Sequence, residues 1–246
     1  MMKFKKMHGN GNDFIIIENL TQTISLTKSQ IIKMGDRKKG LGFDQLITIN
    51  PPKKNHHDLH IKFFNTDGSE ASMCLNGVRS VGAFVWESKS RDSLIKPTGS
   101  KNVKAIIDFP FEEKIPAAEM KFLKKEKVCF VNVGNHHLLI ESSKIDDYDL
   151  FGLCEKLRKR KFFRDANISL WKKTGSEIVS RTNEAGAGET LSCGSAAAAI
   201  ASVALGSAKK IMIISKGGKI SLTNMGDKLE MTGPAELICE GVWVKN

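Results

Sequence analysis

The sequence predicts an α/β (α+β) protein made of two similar halves. Strands and helices alternate along the whole chain. One order of elements, namely strand, polar loop, strand, helix, strands, cysteine and buried helix, occurs twice. A length of 246 residues with 41% hydrophobic residues is sufficient for one large or two modest domains. We place the domains at 1–113 and 114–235, and expect the tail 236–246 to return to the first.

The elements of the first half follow from apolar runs separated by polar loops. The pattern predicts strands at 3–7, 14–17, 44–49, 59–65 and 103–109. A short helix over 27–34 begins at an N-cap, Ser25 or Thr27. The segment 75–86 carries almost no charge, so we expect a helix that is buried on nearly all sides. The segment 110–116, with its Glu and Lys residues, is predicted to be the linker between the domains.

The second half has the same plan. It predicts strands at 128–133, 138–141, 166–172 and 177–181, a loop at 134–137 and a basic helix at about 149–161. A glycine-rich loop then leads into 195–205, where residues 196–204 are almost all small and apolar. Such a helix fits where backbones approach closely, at the centre of a domain. Three short strands, 210–215, 219–223 and 228–231, follow it.

Composition bounds the functional class. The net charge is +11, and the densest basic segment is 156–164. We interpret this segment as a solvated face, because no zinc-finger, helix-turn-helix or aromatic RNA-binding motif accompanies it, and we expect no nucleic-acid partner. No apolar run approaches the ~18 residues of a membrane span, and the start does not resemble a signal peptide. The five cysteines are an odd number, which favours reduced thiols in the cytoplasm.

Two cysteines carry the chemistry. Cys74 and Cys193 each lie between a small, polar segment and a buried helix. A helix N-terminus lowers the pKa of a thiol through its dipole and its unpaired amides. One such thiol in each half suggests two thiols facing one substrate, which would invert a carbon without a cofactor. The amides of Asn76 and Gly77, and of Gly194 and Ser195, would then bind a carboxylate.

The other cysteines have a simpler interpretation. We expect Cys129, Cys154 and Cys239 to be small buried hydrophobic residues. A redox pair would also explain two thiols, but the chain has no Cys-x-x-Cys motif. We expect no metal site, because the His pairs at 56–57 and 136–137 lack a suitable spacing.

The chain resembles the diaminopimelate epimerase family from end to end. The matching motifs are His8-Gly9-Asn10-Gly11-Asn12-Asp13-Phe14, Gly42-Phe43-Asp44-Gln45, Phe64-Asn65-Thr66-Asp67-Gly68-Ser69-Glu70, Cys74-Leu75-Asn76-Gly77-Val78-Arg79, Gly134-Asn135-His136-His137, Asn167, Gly186-Ala187-Gly188-Glu189-Thr190, Cys193-Gly194-Ser195 and Met231-Thr232-Gly233-Pro234-Ala235. Proline racemases and phenazine-type isomerases share the fold of this family but not this set of motifs.

The resemblance implies two domains, each a mixed sheet or barrel wrapped around a central helix, with the active site in the cleft between them. It implies a cofactor-independent isomerase that interconverts L,L- and meso-diaminopimelate in lysine and peptidoglycan biosynthesis, with Cys74 and Cys193 as acid and base. The residues it implies for substrate binding are Asn12, Gln45, Asn65, Asn76, Gly77, Asn135, Asn167, Glu184, Gly194 and Ser195. It also implies that His137 and Glu184 adjust the pKa of the cysteines, and that the protein is a homodimer.

Several positions depart from the family pattern. The family has Glu-Arg before Gly-Ala-Gly-Glu-Thr, and its Arg binds the distal end of the substrate, whereas this chain has Glu184-Ala185. Leu75 replaces a glycine and would place a bulky side chain beside the thiol. His136 replaces a proline, and Cys239 replaces an aromatic residue that resembles a dimer contact. These departures favour, as an alternative, a racemase for another amino acid such as lysine or histidine.

The two substrate hypotheses differ in whether another basic residue, such as Arg181, takes the place of the missing arginine. A third hypothesis, of a different class, is a non-catalytic basic binding protein on the same fold. The presence of both cysteines and of nearly all the polar ligands argues against it.

Overall fold

The computed structural model describes residues 1–71, 73–87, 97–98, 102–123 and 127–244. Contacts within the chain group it into two compact units, Met1–Lys104 with Gly233–Asn246, and Ala105–Thr232. Each unit combines a large mixed sheet with helices, which confirms the predicted fold class. The junctions between the units lie at 104/105 and 232/233. The sequence-based division placed the domain boundaries at 113/114 and 235/236, and it stays a prediction.

The first unit is built on a six-stranded sheet in the order β17-β1-β2-β3-β4-β5. Its strands are β1 Met2–Gly9, β2 Asn12–Glu18, β3 Gln45–Asn50, β4 His60–Asn65, β5 Glu70–Ala71 and, from the end of the chain, β17 Glu236–Trp243. Strands β2 and β3 are parallel and the other pairs are antiparallel. The chain also forms β6 Pro97–Thr98, which pairs with the first residues of β7 Asn102–Asp108.

Two helices cover opposite faces of this sheet. Phe14 and Ile16 belong to the core cluster that contains α2 Leu75–Glu87, while Ile15 and Ile17 belong to the cluster that contains α1 Lys28–Gly35. Because successive side chains of a strand point to opposite faces, a sheet covered on both sides requires an unbroken apolar run. That is why residues 14–17 do not alternate with polar residues.

The sheet of the second unit runs in the order β16-β15-β14-β12-β11-β10-β9-β8, with β13 beside β12. Its strands are β8 Phe111–Glu113, β9 Lys127–Asn132, β10 His136–Glu141, β11 Asn167–Thr174, β12 Glu177–Glu184, β13 Gly188–Thr190, β14 Lys210–Ser215, β15 Gly218–Asn224 and β16 Lys228–Pro234. The β10/β11 and β12/β14 pairs are parallel. The chain passes between the two units within β7 and β16.

Helix α5 Gly194–Ala204 is the central helix of the second unit. It packs against β9, β10, β11, β14 and β15, and all its residues from Gly194 to Ala201 are buried. Its alanines allow the strands to approach closely from several sides, as predicted. The helices α3 Ala117–Leu123 and α4 Leu150–Arg158 contribute to a separate core cluster, together with a 3-10 turn at Lys161–Phe163.

The structure corrects the sequence-based elements at several places. The predicted linker 110–116 contains β8, which pairs with β9, and α3 was not predicted. The basic helix ends at Arg158 rather than near 161, and His136 and His137 belong to β10 rather than to a loop. The burial expected for Trp86, and residues 245–246 of the predicted tail, lie outside what the structure describes.

No helix in the described ranges is long and apolar enough to cross a membrane. The cytoplasmic location expected from the sequence stays a prediction.

Candidate active site

Cys74 precedes the first residue of α2. It is partly buried, and its thiol donates a hydrogen bond to Oδ1 of Asn12 at a sulfur–oxygen distance of 3.5 Å. The Cys74 carbonyl accepts from the amide of Val78, so the helix begins directly at the cysteine. The amides of the first helical turn have no acceptor within the helix. Cys74 therefore has the predicted position at a helix N-terminus.

Polar side chains of the first unit form a chain of hydrogen bonds next to Cys74. Oδ1 of Asn12 also accepts from Nδ2 of Asn76 at 3.4 Å, and Nδ2 of Asn12 donates to Asp44 at 2.9 Å. Oδ1 of Asn76 accepts from the guanidinium of Arg79 at 2.9 Å. The structure thus brings Asn12 and Asn76, two predicted substrate ligands, into direct contact with the cysteine or with each other.

Arg79 is completely buried, and it is the largest side chain of the described residues to be so. It also donates to Oδ1 of Asn10 at 2.9 Å and to the carbonyl of Pro234 at 3.4 Å. Burial lowers the pKa of this guanidinium to about 10, and the nearby Cys74 acts in the opposite direction. At neutral pH Arg79 is still a cation, so the core next to Cys74 contains a fixed positive charge.

Two further predicted ligands, Gln45 and Asn65, are direct neighbours on β3 and β4. Nε2 of Gln45 donates to Oδ1 of Asn65 at 3.1 Å, and Nδ2 of Asn65 donates to Ser69 at 3.1 Å. Among the described residues, Oε1 of Gln45 is buried without a hydrogen-bond partner. A buried acceptor with no partner is costly. It would suit an incoming donor such as an ammonium group.

Gly77 is required by packing. A Cβ atom at this position would lie 2.7 Å from Cε1 of Phe63 and 2.9 Å from Cδ1 of Ile47. The absent side chain lets the first turn of α2 lie directly on the sheet. Leu75, which was expected to place a bulky side chain beside the thiol, is buried, with an exposed fraction of 2%.

In the second unit, Cys193 is the N-cap of α5 and is buried. No side-chain hydrogen bond caps the helix, and the Cys193 carbonyl accepts from the amide of Ala197. The Cys193 sulfur lies 3.4 Å from the hydroxyl oxygen of Ser195, and either atom can be the donor. This cysteine, too, has the predicted position.

Three predicted residues continue from Ser195 into the core. Nδ2 of Asn135 donates to the Ser195 hydroxyl at 3.4 Å, and Oδ1 of Asn135 lies 3.1 Å from Nε2 of His137. His137 faces Asn167 across the parallel strands β10 and β11, with Nδ2 of Asn167 3.5 Å from the same Nε2. Oδ1 of Asn167 accepts from the amide of Ala185 at 3.0 Å.

The environment of His137 determines its charge. Complete burial lowers its pKa to about 3, and the neighbouring His136 adds to this shift. Within the described part of the chain, its Nδ1 has no hydrogen-bond partner. His137 is therefore neutral at physiological pH. An influence on Cys193 would pass through the hydrogen bonds of Asn135 and Ser195, and not through a positive charge.

Glu184, the second residue with a predicted influence on cysteine pKa, ends β12. Its Oε1 accepts a hydrogen bond of 2.6 Å from the hydroxyl of Thr190, and its carbonyl accepts from the amide of Ala187. Glu184 pairs with Gly188 of β13 in a tight turn. Ala185, which stands where the family has arginine, is exposed in this turn.

The remaining cysteines differ from each other. Cys154 is buried, as predicted, and burial raises the pKa of its thiol to about 11. Cys129 is partly buried, and burial raises its pKa as well. Cys239 is exposed, so its prediction as a buried residue was wrong: it lies in β17, the outermost strand of the first sheet. No group of three or more potential metal ligands occurs among the described residues.

Sequence reasoning gave no role to Arg79 or Asp44. Both fall within the quoted motifs, but their contacts depend on distant segments. The available signal was Arg79 itself, a charged residue within an otherwise apolar helix.

Comparisons with known proteins now identify the family. The family model described as diaminopimelate epimerase matches residues 4–108 and 129–238. The chain belongs to the diaminopimelate epimerase family. Relatives named diaminopimelate epimerase from Coxiella burnetii, in strains Dugway 5J108-111 and RSA 493 / Nine Mile phase I, are 33% identical, and each alignment covers 99% of both chains.

Solved structures confirm the fold. A phenazine biosynthesis protein of the PhzF family from Bacillus anthracis is 12% identical, with a TM-score of 0.70 and 99% of both chains covered. A hydroxyproline epimerase from Agrobacterium vitis, solved with trans-4-hydroxy-L-proline, is 11% identical. Its TM-score is 0.70, and the match covers 98% of this chain and 90% of that one. Membership of the diaminopimelate epimerase family supports an isomerase.

Proposed function

We propose that this chain is a cofactor-independent diaminopimelate epimerase that uses Cys74 and Cys193 as a two-base pair. The observation that carries the proposal is the matching position of the two thiols, one at the N-terminus of each buried helix, α2 and α5. Family membership and the 33% identical relatives named diaminopimelate epimerase support the substrate.

The reaction requires removal of a proton from the α-carbon of an amino acid, which is a very weak acid. In the proposed mechanism, one cysteine as thiolate takes this proton and becomes a thiol. The opposite cysteine, initially a thiol, gives its proton to the other face of the carbon and becomes the thiolate. The configuration is inverted, and the pair still holds one proton. Backbone amides of the two helix N-termini would stabilise the negative charge that develops on the carboxylate.

Polar side chains of the first unit fit an amino-acid substrate. Gln45 offers a buried oxygen that has no partner within the described part of the chain, and Asn65 lies beside it. Amide oxygens accept hydrogen bonds from an ammonium group, whereas amide nitrogens donate to a carboxylate. The polar set thus supplies both kinds of contact without a metal or an organic cofactor.

A second candidate is a racemase for an amino acid that lacks a distal carboxylate, such as lysine or histidine. Two observations favour it. Ala185 has no group that could bind a carboxylate, and the guanidinium of Arg181 is already bound to Glu189 and to three carbonyl oxygens. Arg181 would have to give up these bonds to replace the missing arginine.

Exchange of the α-proton in D2O, followed by NMR, tests the function. L,L-diaminopimelate, lysine, histidine and glutamate are compared in parallel with the wild type and with Cys74→Ser and Cys193→Ser. Cys239→Ser is the matched control, because its thiol is exposed. Deuterium incorporation with diaminopimelate that both active-site variants lose and the control retains would support the epimerase. Exchange with lysine or histidine alone would support the second candidate, and no exchange with any substrate would contradict both.

A further inference from the structure

The chain of hydrogen bonds next to Cys74 ends in a charged group on each side. These two groups determine which atom of each amide in the chain donates and which accepts. We propose that Arg79 and Asp44 are positioning residues that orient Asn76 and Asn12, so that Cys74 faces a carbonyl oxygen and is held as a thiol in the resting protein. The proposal concerns a state of the free protein, and it is argued from the described contacts of the first unit.

The argument starts at Arg79. A guanidinium has only donors, so the atom of Asn76 that faces it at 2.9 Å is the oxygen Oδ1. The amide nitrogen of Asn76 then points the other way, to Asn12. The orientation of an asparagine amide is otherwise ambiguous, because its oxygen and nitrogen are nearly the same size. Here the fixed chemistry of Arg79 removes the ambiguity.

The same argument applies from the other end. An ionised carboxylate has only acceptors, so the atom of Asn12 that faces Asp44 at 2.9 Å is the nitrogen Nδ2. Asp44 is itself held by Arg37 at 2.7 Å and by the amide of Asp13 at 3.0 Å. Both ends of the chain therefore require the same orientation of Asn12, with its Oδ1 toward Asn76 and Cys74.

This orientation favours one protonation state of Cys74. The thiol can donate its hydrogen to Oδ1 of Asn12, whereas a thiolate would place a second acceptor against that oxygen. Among the described residues, the charged groups connected to this hydrogen-bond chain are Arg79 on α2, Asp13 on β2, Lys6 on β1, and Arg37 and Asp44 in the segment before β3. The positive charge of Arg79 and the N-terminus of α2 both favour the thiolate, and the oriented amide of Asn12 acts against them.

The described contact of Cys193 is of a different kind. Its partner is the hydroxyl of Ser195, which can donate or accept by rotation. The chain behind Ser195 leads through Asn135 to the neutral ring of His137, where either ring nitrogen can carry the proton. A thiolate at Cys193 can therefore receive a hydrogen bond without a change in the surrounding charges.

For the proposed epimerisation, this difference gives the two thiols separate starting roles. Cys74 would begin as the acid and Cys193 as the base, and the first substrate to react would be the isomer whose α-proton faces Cys193. This consequence rests on the proposed function. The state of Cys74 does not, and it is measured without substrate, so the two proposals can fail separately.

The experiment is alkylation by iodoacetamide as a function of pH, with the peptides that contain Cys74 and Cys193 quantified by mass spectrometry. The pH midpoint of each profile reports the thiolate of that cysteine and depends little on its accessibility. The informative variant is the double substitution Asp44→Asn with Arg79→Gln. It replaces a group that only accepts and a group that only donates by amides, which can do both. The side-chain amide of Asn12 can then rotate and exchange its oxygen and nitrogen.

Electrostatics and orientation predict opposite results for this double variant. Loss of the buried Arg79 cation would raise the midpoint of Cys74, and loss of the Asp44 carboxylate, which is 45% exposed and better screened by water, would lower it by less. If the oriented amide is what holds the thiol, we expect that midpoint to fall by about half to one pH unit, while that of Cys193 does not change.

The control is Asp44→Glu with Arg79→Lys, which keeps an acceptor-only and a donor-only end. Its Cys74 midpoint is expected to match the wild type. An unchanged or higher midpoint in the amide pair, or an equal shift in the control, would overturn the proposal. If the amide pair does not fold, Asn12→Ala is measured instead, because it removes the oxygen that faces Cys74 and keeps both Arg79 and Asp44. The Cys74 midpoint must then fall, and an unchanged value would also overturn the proposal.

Discussion

Glu189 binds Arg181 through two hydrogen bonds, from Nε to Oε1 and from Nη2 to Oε2, each 2.8 Å long. Nη1 of the same guanidinium donates to the carbonyls of Ile145, Asp146 and Tyr148. Arg181 therefore connects β12 to the segment before α4, and each of its three guanidinium nitrogens donates at least one hydrogen bond. In this arrangement its role is structural.

The first prediction concerns this ion pair. Glu189→Gln removes the charge opposite a guanidinium whose side chain is 16% exposed, and we expect the free energy of unfolding to fall by about 1–3 kcal/mol. The hydrogen bond from Arg181 holds the pKa of Glu189 below its ordinary value of 4.5. The stabilisation is therefore complete above pH 4.5 and is lost as the pH falls through the lowered pKa.

Urea denaturation at pH 7 and at progressively lower pH checks this. The difference between wild type and variant should shrink below about pH 4.5. Glu177→Gln, which breaks a more exposed pair with Lys219, is the control and should change stability by less than about 0.5 kcal/mol. If the difference in unfolding free energy between wild type and variant stayed constant with pH, the ionised Glu189 would not be the source of the stabilisation.

The second prediction concerns substrate selection at Ala185. If the chain is a diaminopimelate epimerase with a weakened distal contact, Ala185→Arg should raise kcat/KM for diaminopimelate about 10- to 100-fold, because an arginine–carboxylate contact is bidentate and charge-assisted. Ala185→Gln has similar bulk without charge and is the control. No gain from arginine, with wild-type kinetics already typical of such enzymes, would show that the missing arginine does not limit recognition.

The third prediction concerns the packing of α2 on its sheet. Gly77→Ala would place a Cβ within 2.7 Å of Phe63, so we expect a loss of about 1–3 kcal/mol in unfolding free energy. At Gly35, in the last turn of α1, the nearest atom to a new Cβ would be 3.3 Å away, at Phe43. Gly35→Ala is the matched control and should be better tolerated in thermal melts. Equal effects of the two substitutions would show that the contact with Phe63 relaxes freely.

The fourth prediction concerns His137. Its pKa is about 3 in the folded state and is ordinarily 6.5, so between these values the unfolded chain binds a proton that the folded protein does not. Stability from this group is complete above pH 6.5 and declines as the pH falls toward 3. From pH 6.5 to pH 5 the wild type should lose about 2 kcal/mol through His137.

His137→Gln should remove this part of the acid sensitivity, whatever its own effect on stability at neutral pH. Denaturant unfolding of both proteins at the two pH values measures it, with the exposed His57→Gln as control. A variant with the same pH dependence as the wild type would mean that His137 is charged in the folded protein.

Elements with a strong local signal could be predicted from the sequence. Thr27 and Gln30 form the capping box that begins α1, and the apolar run 14–17 and the alanines of α5 lie where their composition requires. Strand β8 could not be predicted, because it has only three residues, Phe111 is exposed, and pairing with β9 is what makes it a strand. Such an element depends on a partner distant in the chain.

The candidate site divides in the same way. Both cysteines could be located, because a small polar segment followed by an apolar helix is a local pattern. The chain of hydrogen bonds from Arg79 to Asp44 could not be predicted. It joins residues of a helix, a strand end and a loop, which only the folded sheet brings together. The exposed position of Cys239 likewise depends on the place of β17 at the end of the sheet order.

The pairing of β1 with β17 also has a consequence for the order of folding during synthesis. The ribosome completes the whole second unit, 105–232, before it makes the strand that closes the first. The carbonyl of Pro234, which binds the buried guanidinium of Arg79, arrives equally late. The nascent first unit must therefore wait, with one sheet edge open and its central arginine incompletely bound, until β17 has been made.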